Sequence, residues 1–256
     1  MRSDLVYLLT SQQERVPAIH KRIEGATHTL LYSHGNGEDL GLMLDDIDEL
    51  ARHSGASVFA YEYVGYSLSH TEEGCEPSED GCLRSADAAW LHLTMTAAVD
   101  PSKIIIVGRS IGSGPAVDLA SRHSECAGVV LISPIASGAW AVLGEGAARA
   151  LWALDLFRNY EKVGKLAMPV GIIHGLADEV VSVNNGYMLA SLVPNPTKPL
   201  WIDGHGHNNL PSLLQRNLEL VRNTTPFPAY TPREQHQPED DGEIDFDSTG
   251  SLPTVA

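Results

Sequence analysis

The chain has 256 residues, enough to bury one substantial core, and its 43% apolar and 20% charged residues are ordinary for a globular protein. Seventeen basic residues against 33 acidic ones leave a formal charge of −16, which argues against a nucleic-acid partner and disfavours an anionic membrane surface. No stretch approaches the roughly 18 apolar residues of a membrane span, and Leu5–Leu9 is interrupted by polar residues before an export signal develops. Cys75, Cys82 and Cys126 are an odd, sparse set that suits a reducing compartment. These features predict a cytoplasmic protein, associated with membranes at most peripherally.

In chain order, Leu5–Thr10 and Arg15–Ile23 read as an antiparallel lead-in pair. Six short apolar runs follow: Thr29–Ser33, Ser57–Glu62, Lys103–Gly108, Gly128–Ser133, Pro169–His174 and Lys198–Asp203. Helical spacing separates them near 38–53, 82–98, 111–123 and 183–192, and returns at 208–222. Runs such as Ile104-Ile105-Ile106-Val107 show no polar–apolar alternation, so both faces of those strands are buried. The pattern predicts an α/β domain over 1–225, with a mostly parallel central sheet covered by helices on both faces.

Residues 134–168 break the rhythm. They contain the Ala-rich stretch Ala147–Phe157, read as one or two helices, and form either a small cap over the sheet edge where ligands bind or another packing layer. From Pro226 the composition turns to proline and acid, with seven acidic residues and one arginine. Such a segment buries too little to offset its ordering entropy, so 226–256 is expected to be a disordered acidic tail.

Gly108-Arg109-Ser110-Ile111-Gly112 fits G-x-S-x-G, a pattern that is weak alone. Here it follows a buried strand and opens a helix beginning at Ser113, the strand–turn–helix setting that exposes a nucleophilic serine. A serine that only caps the helix would not need glycine two residues to either side. In this arrangement the acid and then the histidine follow the serine in sequence. His123 is too close, His236 lies in the tail, and His174 leaves little chain for an acid before it. His205 and His207 remain, and His207, one step nearer the next helix, is taken as the base. Asp178, the first carboxylate after the strand Pro169–His174, is taken as the acid, with Glu179 as fallback. Asp203, His205 and His207 do not by themselves make a metal site, since no further ligand cluster is near in sequence. The oxyanion donors are expected to be the backbone N–H groups of Ile111 and Asn36, the latter in the loop Ser33-His34-Gly35-Asn36. His34 is expected to have a structural role in that loop. The apolar residues Leu151, Trp152, Leu154, Leu156 and Phe157 could wall an acyl groove or face the core; Trp152 and Phe157 are the candidates for substrate contact.

Several segments together carry a family resemblance: Ser33-His34-Gly35-Asn36 with Asp39-Leu40-Gly41; Tyr63-Val64-Gly65-Tyr66; the serine motif; Val117–Arg122; His174-Gly175 with Asp178-Glu179-Val180; and Gly206-His207-Asn208. From about Leu30 to Val221 the chain resembles the α/β-hydrolase domain-containing 17 group of depalmitoylase-like serine hydrolases and its Bem46-type relatives. The resemblance implies the α/β-hydrolase fold, a triad of Ser110, Asp178 and His207, and removal of long acyl groups from S-acylated cysteines of proteins. The group's usual Gln before the serine is Arg109 here, and its glycine after Tyr66 is Ser67. The expected partner is an acylated protein or a small-molecule ester or thioester, and no metal or cofactor is implied. A general carboxylesterase or serine peptidase is the alternative within the class, and a non-catalytic binding scaffold the alternative outside it.

Overall fold

The computed structural model describes residues 3–67, 69, 76–143 and 152–209. Eight strands make one sheet: β1 (Leu5–Leu9), β2 (Arg15–Lys21), β3 (Thr29–Ser33), β4 (Ser57–Tyr61), β5 (Ile104–Arg109), β6 (Gly128–Ile132), β7 (Val170–Gly175) and β8 (Leu200–Ile202). Their order across the sheet is β1-β2-β4-β3-β5-β6-β7-β8. The lead-in pair is antiparallel, β2 runs antiparallel to β4, and every pairing from β4 to β8 is parallel.

The absence of alternation in the central strands has the expected consequence. Along β5, Ile104 and Ile106 enter one apolar cluster while Ile105 and Val107 enter another. The first cluster is closed by α2 (Glu79–Leu91), α3 (Ser113–Arg122) and α6 (Asn184–Leu192), and the second by α1 (Leu44–Ser54) through Ile47 and Ala51. The chain is therefore an α/β-hydrolase-type layer structure with helices on both faces of the sheet.

Two helix starts differ from the sequence reading for local reasons. The helix expected near 38 begins at Leu44, because Asp39 Oδ1 accepts the Gly41 amide at 2.6 Å and the Leu42 amide at 3.2 Å, holding that stretch as a turn. The helix expected near 82 begins earlier, at Glu79, where Ser78 Oγ caps the Gly81 amide at 3.1 Å. It continues past Leu91 as a π turn, His92–Thr96.

The 134–168 excursion holds α4 (Gly138–Leu143), a 3-10 turn at Trp152–Leu154, α5 (Asn159–Lys162) and a further 3-10 turn at Val163–Lys165. The helix expected over Ala147–Phe157 does not extend to its end: Asp155–Phe157 are non-helical, and Phe157 adopts φ +49°. Its first half, the helix expected over 208–222 beyond Asn209, and the acidic tail lie outside the described residues.

Candidate active site

Ser110 sits on the turn between β5 and α3 with φ +53°, a left-handed conformation that a side chain adopts only under constraint. The constraint is visible in its flanking glycines. A Cβ on Gly112 would lie 2.2 Å from the Ser33 carbonyl oxygen, and one on Gly108 would lie 2.7 Å from Ala116 Cβ. Ser113 Oγ donates to the Ser110 carbonyl at 2.6 Å and accepts from the Ile135 amide and Asn159 Nδ2, both at 3.2 Å. The turn is thus packed against β3 and pinned from within α3.

The three residues singled out from the sequence meet although 97 positions separate the first from the last. Ser110 Oγ lies 3.0 Å from His207 Nε2, and His207 Nδ1 lies 2.8 Å from Asp178 Oδ2. With Nδ1–H donating to the carboxylate, Nε2 is left to accept the serine proton. All three side chains are almost entirely buried. Asp178 Oδ1 accepts the amides of Val180 at 3.0 Å and Val181 at 2.8 Å. Burial opposes the charge on Asp178, yet hydrogen bonds from His174, His207 and the Val181 amide outweigh it. They hold the carboxyl far below the ordinary range.

His205, the other histidine considered, points away: its Nδ1 contacts the Asp203 carbonyl at 2.9 Å, and its own carbonyl accepts the Ala177 amide. Both ring nitrogens of His207 face Ser110 and Asp178, so Asp203, His205 and His207 do not converge on a common point.

The loop after β3 is fixed by His34 from within it and by Glu62, Tyr63 and Tyr66, which the sequence reading did not assign. His34 contacts the Gly35 carbonyl at 2.9 Å, and its Nε2 lies 2.8 Å from the buried Glu62. Tyr63 donates to the His34 carbonyl, and Tyr66 to Asn36 Oδ1, each at 2.7 Å. Asn36 is exposed at the tip of this loop, while Ile111 follows Ser110 in the 3-10 turn that leads into α3. Arg109 binds the same loop through an ion pair with Glu38, whose Oε2 accepts the Gly35 amide at 2.5 Å. Nothing in the sequence pattern announces that link, since Arg109 and Glu38 meet only when β3 and β5 pair.

One expectation is corrected. Phe157 is buried, and its ring lies over α3, where a Cβ on Gly114 would come within 2.2 Å of it. It belongs to the core cluster that Gly114's helix closes, and not to an exposed substrate wall. The Trp152 side chain and Leu151 lie outside the described residues, whereas Leu154 and Leu156 are exposed, as are Val142 and Leu143 of α4.

The family described as Serine aminopeptidase, S33, matches residues 25–163, more than half of the chain, a span that includes Ser110 but ends before Asp178 and His207. Among curated relatives, alpha/beta hydrolase domain-containing protein 17C of Xenopus laevis is 39% identical over 77% of this chain and 61% of its own length. Protein 17B of Xenopus tropicalis is 38% identical over 78% of this chain and 68% of its own length. The chain thus spans less than two thirds of the first of these relatives. The solved structure of Est1E from Butyrivibrio proteoclasticus matches with a TM-score of 0.65 at 16% identity, covering 85% of this chain and 96% of that one, a likeness of fold alone. With 17B spanned over two thirds of its length and the hydrolase fold in place, the chain belongs to the alpha/beta hydrolase domain-containing 17 family.

Proposed function

We propose that the chain is a serine hydrolase acting through an acyl-serine intermediate on esters or thioesters of long acyl groups, S-acylated cysteines of proteins among them. The observation that carries the reading is the continuous hydrogen-bonded chain Ser110–His207–Asp178 on a strained turn. His207 Nε2 takes the Ser110 proton as Oγ attacks the acyl carbon, and the imidazolium that forms is stabilised by Asp178. The carbonyl oxygen becomes an oxyanion, for which the amides of Ile111 and Asn36 are the proposed donors. His207 then protonates the departing thiolate or alkoxide. Water, deprotonated by the same nitrogen, attacks the acyl-serine and releases the carboxylic acid and free Ser110.

One feature supports long acyl chains. The excursion between β6 and β7 presents Val142, Leu143, Leu154 and Leu156 to solvent. Each methylene covered there would contribute about 0.8 kcal/mol, nearly fourfold in binding. The test is a series of acyl thioesters graded from acetyl to palmitoyl. The reading expects kcat/KM to climb over several carbons before levelling, and Leu156→Ser to flatten the climb. A profile that peaks at acetyl or butyryl and ignores the substitution overturns the long-chain reading and leaves a short-chain esterase.

A further inference from the structure

We infer that His174 is a positioning residue of the hydrolytic site, holding Asp178 at the same carboxylate oxygen that meets His207; the inference rests on the hydrolase reading above. His174 is the penultimate residue of β7 and is fully buried. Its Nε2 lies 2.8 Å from the Val181 carbonyl oxygen and 3.3 Å from Asp178 Oδ2. Both neighbours are acceptors, so the proton is on Nε2 and is shared between them.

The opposite nitrogen fits that tautomer. His174 Nδ1 is buried, has no hydrogen-bond partner among the described residues, and faces α6, where a Cβ on Gly186 would lie 2.7 Å away. A lone pair directed at a glycine is tolerated there, whereas a buried N–H without an acceptor would cost more. Gly186 gives the ring its room, with Trp201 closing the same space.

The consequence concerns the carboxylate. Asp178 Oδ1 is held by two amides, while Oδ2 is contacted by two imidazoles, His207 Nδ1 at 2.8 Å and His174 Nε2 at 3.3 Å. By bonding the Val181 carbonyl as well, His174 closes the loop 178–181 onto the end of β7, and so fixes where Oδ2 meets the catalytic imidazole. A displacement of this carboxylate by about 1 Å would misalign His207 towards Ser110, an effect of up to about 100-fold in rate. His174 touches no substrate; it acts through Asp178.

The test compares His174→Gln with His174→Asn in the full chain. A glutamine amide can place an N–H near the Nε2 position, and an asparagine amide falls short of it. With a long-chain thioester, His174→Asn is expected to lower kcat at least tenfold with KM nearly unchanged. The low-field proton resonance of His207 Nδ1–H should move, and His174→Gln should recover most of the rate and the resonance. Equal kcat in the two variants, or a rate loss with the His207 resonance unmoved, overturns the inference. An unmutated chain that hydrolyses none of the thioesters counts against the hydrolase reading itself, and the two failures are thereby told apart.

Discussion

The Arg109 guanidinium donates from Nη2 to the carbonyl oxygen of His207 at 3.2 Å, and from the same nitrogen to Asn208 Oδ1 at 3.1 Å. Its other arm pairs with Glu38, so one side chain next to Ser110 joins the loop after β3 to the loop that carries the histidine. Removing it deprives the His207 carbonyl of this donor and Glu38 of its cation, a cost of about 1–3 kcal/mol. Arg109→Leu should therefore lower kcat/KM about tenfold and reduce the melting temperature. Glu38→Gln should do less, and the double variant should show a coupling of at least about 0.5 kcal/mol. Additive losses in both thermal unfolding and kinetics would show that the two loops are held independently.

Asp178 makes a prediction about acid. Its folded-state pKa is depressed, so the ionised form stabilises the fold above the unfolded carboxylate value of about 4, and that stability is lost as pH falls below it. Asp178→Asn should lower kcat by about 10⁴, as expected when the imidazole loses its orienting acid. It should also be less stable than the parent at neutral pH, with the difference shrinking steadily from about pH 4 downwards. Melting curves across that range decide it; a difference that stays constant would mean that the carboxylate charge does not stabilise the fold.

Gly112→Ala should be damaging without any change in chemistry. Its Cβ would fall 2.2 Å from the Ser33 carbonyl oxygen and 2.5 Å from that of His34, both backbone atoms at the end of β3. Overpacking of this kind costs about 1–3 kcal/mol. The displaced turn should slow turnover by about 100-fold. Normal labelling and turnover in a folded Gly112→Ala would show that β3 yields more easily than its central position in the sheet suggests.

Phe157 separates core from groove. Phe157→Ala should destabilise the fold by about 3–5 kcal/mol, as for a large buried aromatic. The shape of the acyl chain-length profile should stay as in the parent. A profile that flattens with little loss of stability would return Phe157 to the substrate wall.

The sheet was readable because its strands are short apolar runs without alternation, and β3 matches the expected Thr29–Ser33 at both ends. The chain order of serine, acid and histidine brought out three side chains that the fold then places within hydrogen-bond distance. What could not be read is contact across elements. Arg109 with Glu38, and His174 beside Asp178, depend on strand pairing and on the path of a loop, neither of which has a periodicity. The same holds at Phe157, whose place in the core against α3 follows from packing between elements that has no periodicity.

The central claim is that Ser110 is a nucleophile activated by His207. The most direct test is labelling of the full chain with a fluorophosphonate, followed by mapping of the modified peptide. The account predicts a single adduct on Ser110, absent in Ser110→Ala and strongly slowed in His207→Ala, with His205→Ala labelling like the parent. An adduct that persists in Ser110→Ala, or labelling that depends on His205 and not on His207, would contradict it.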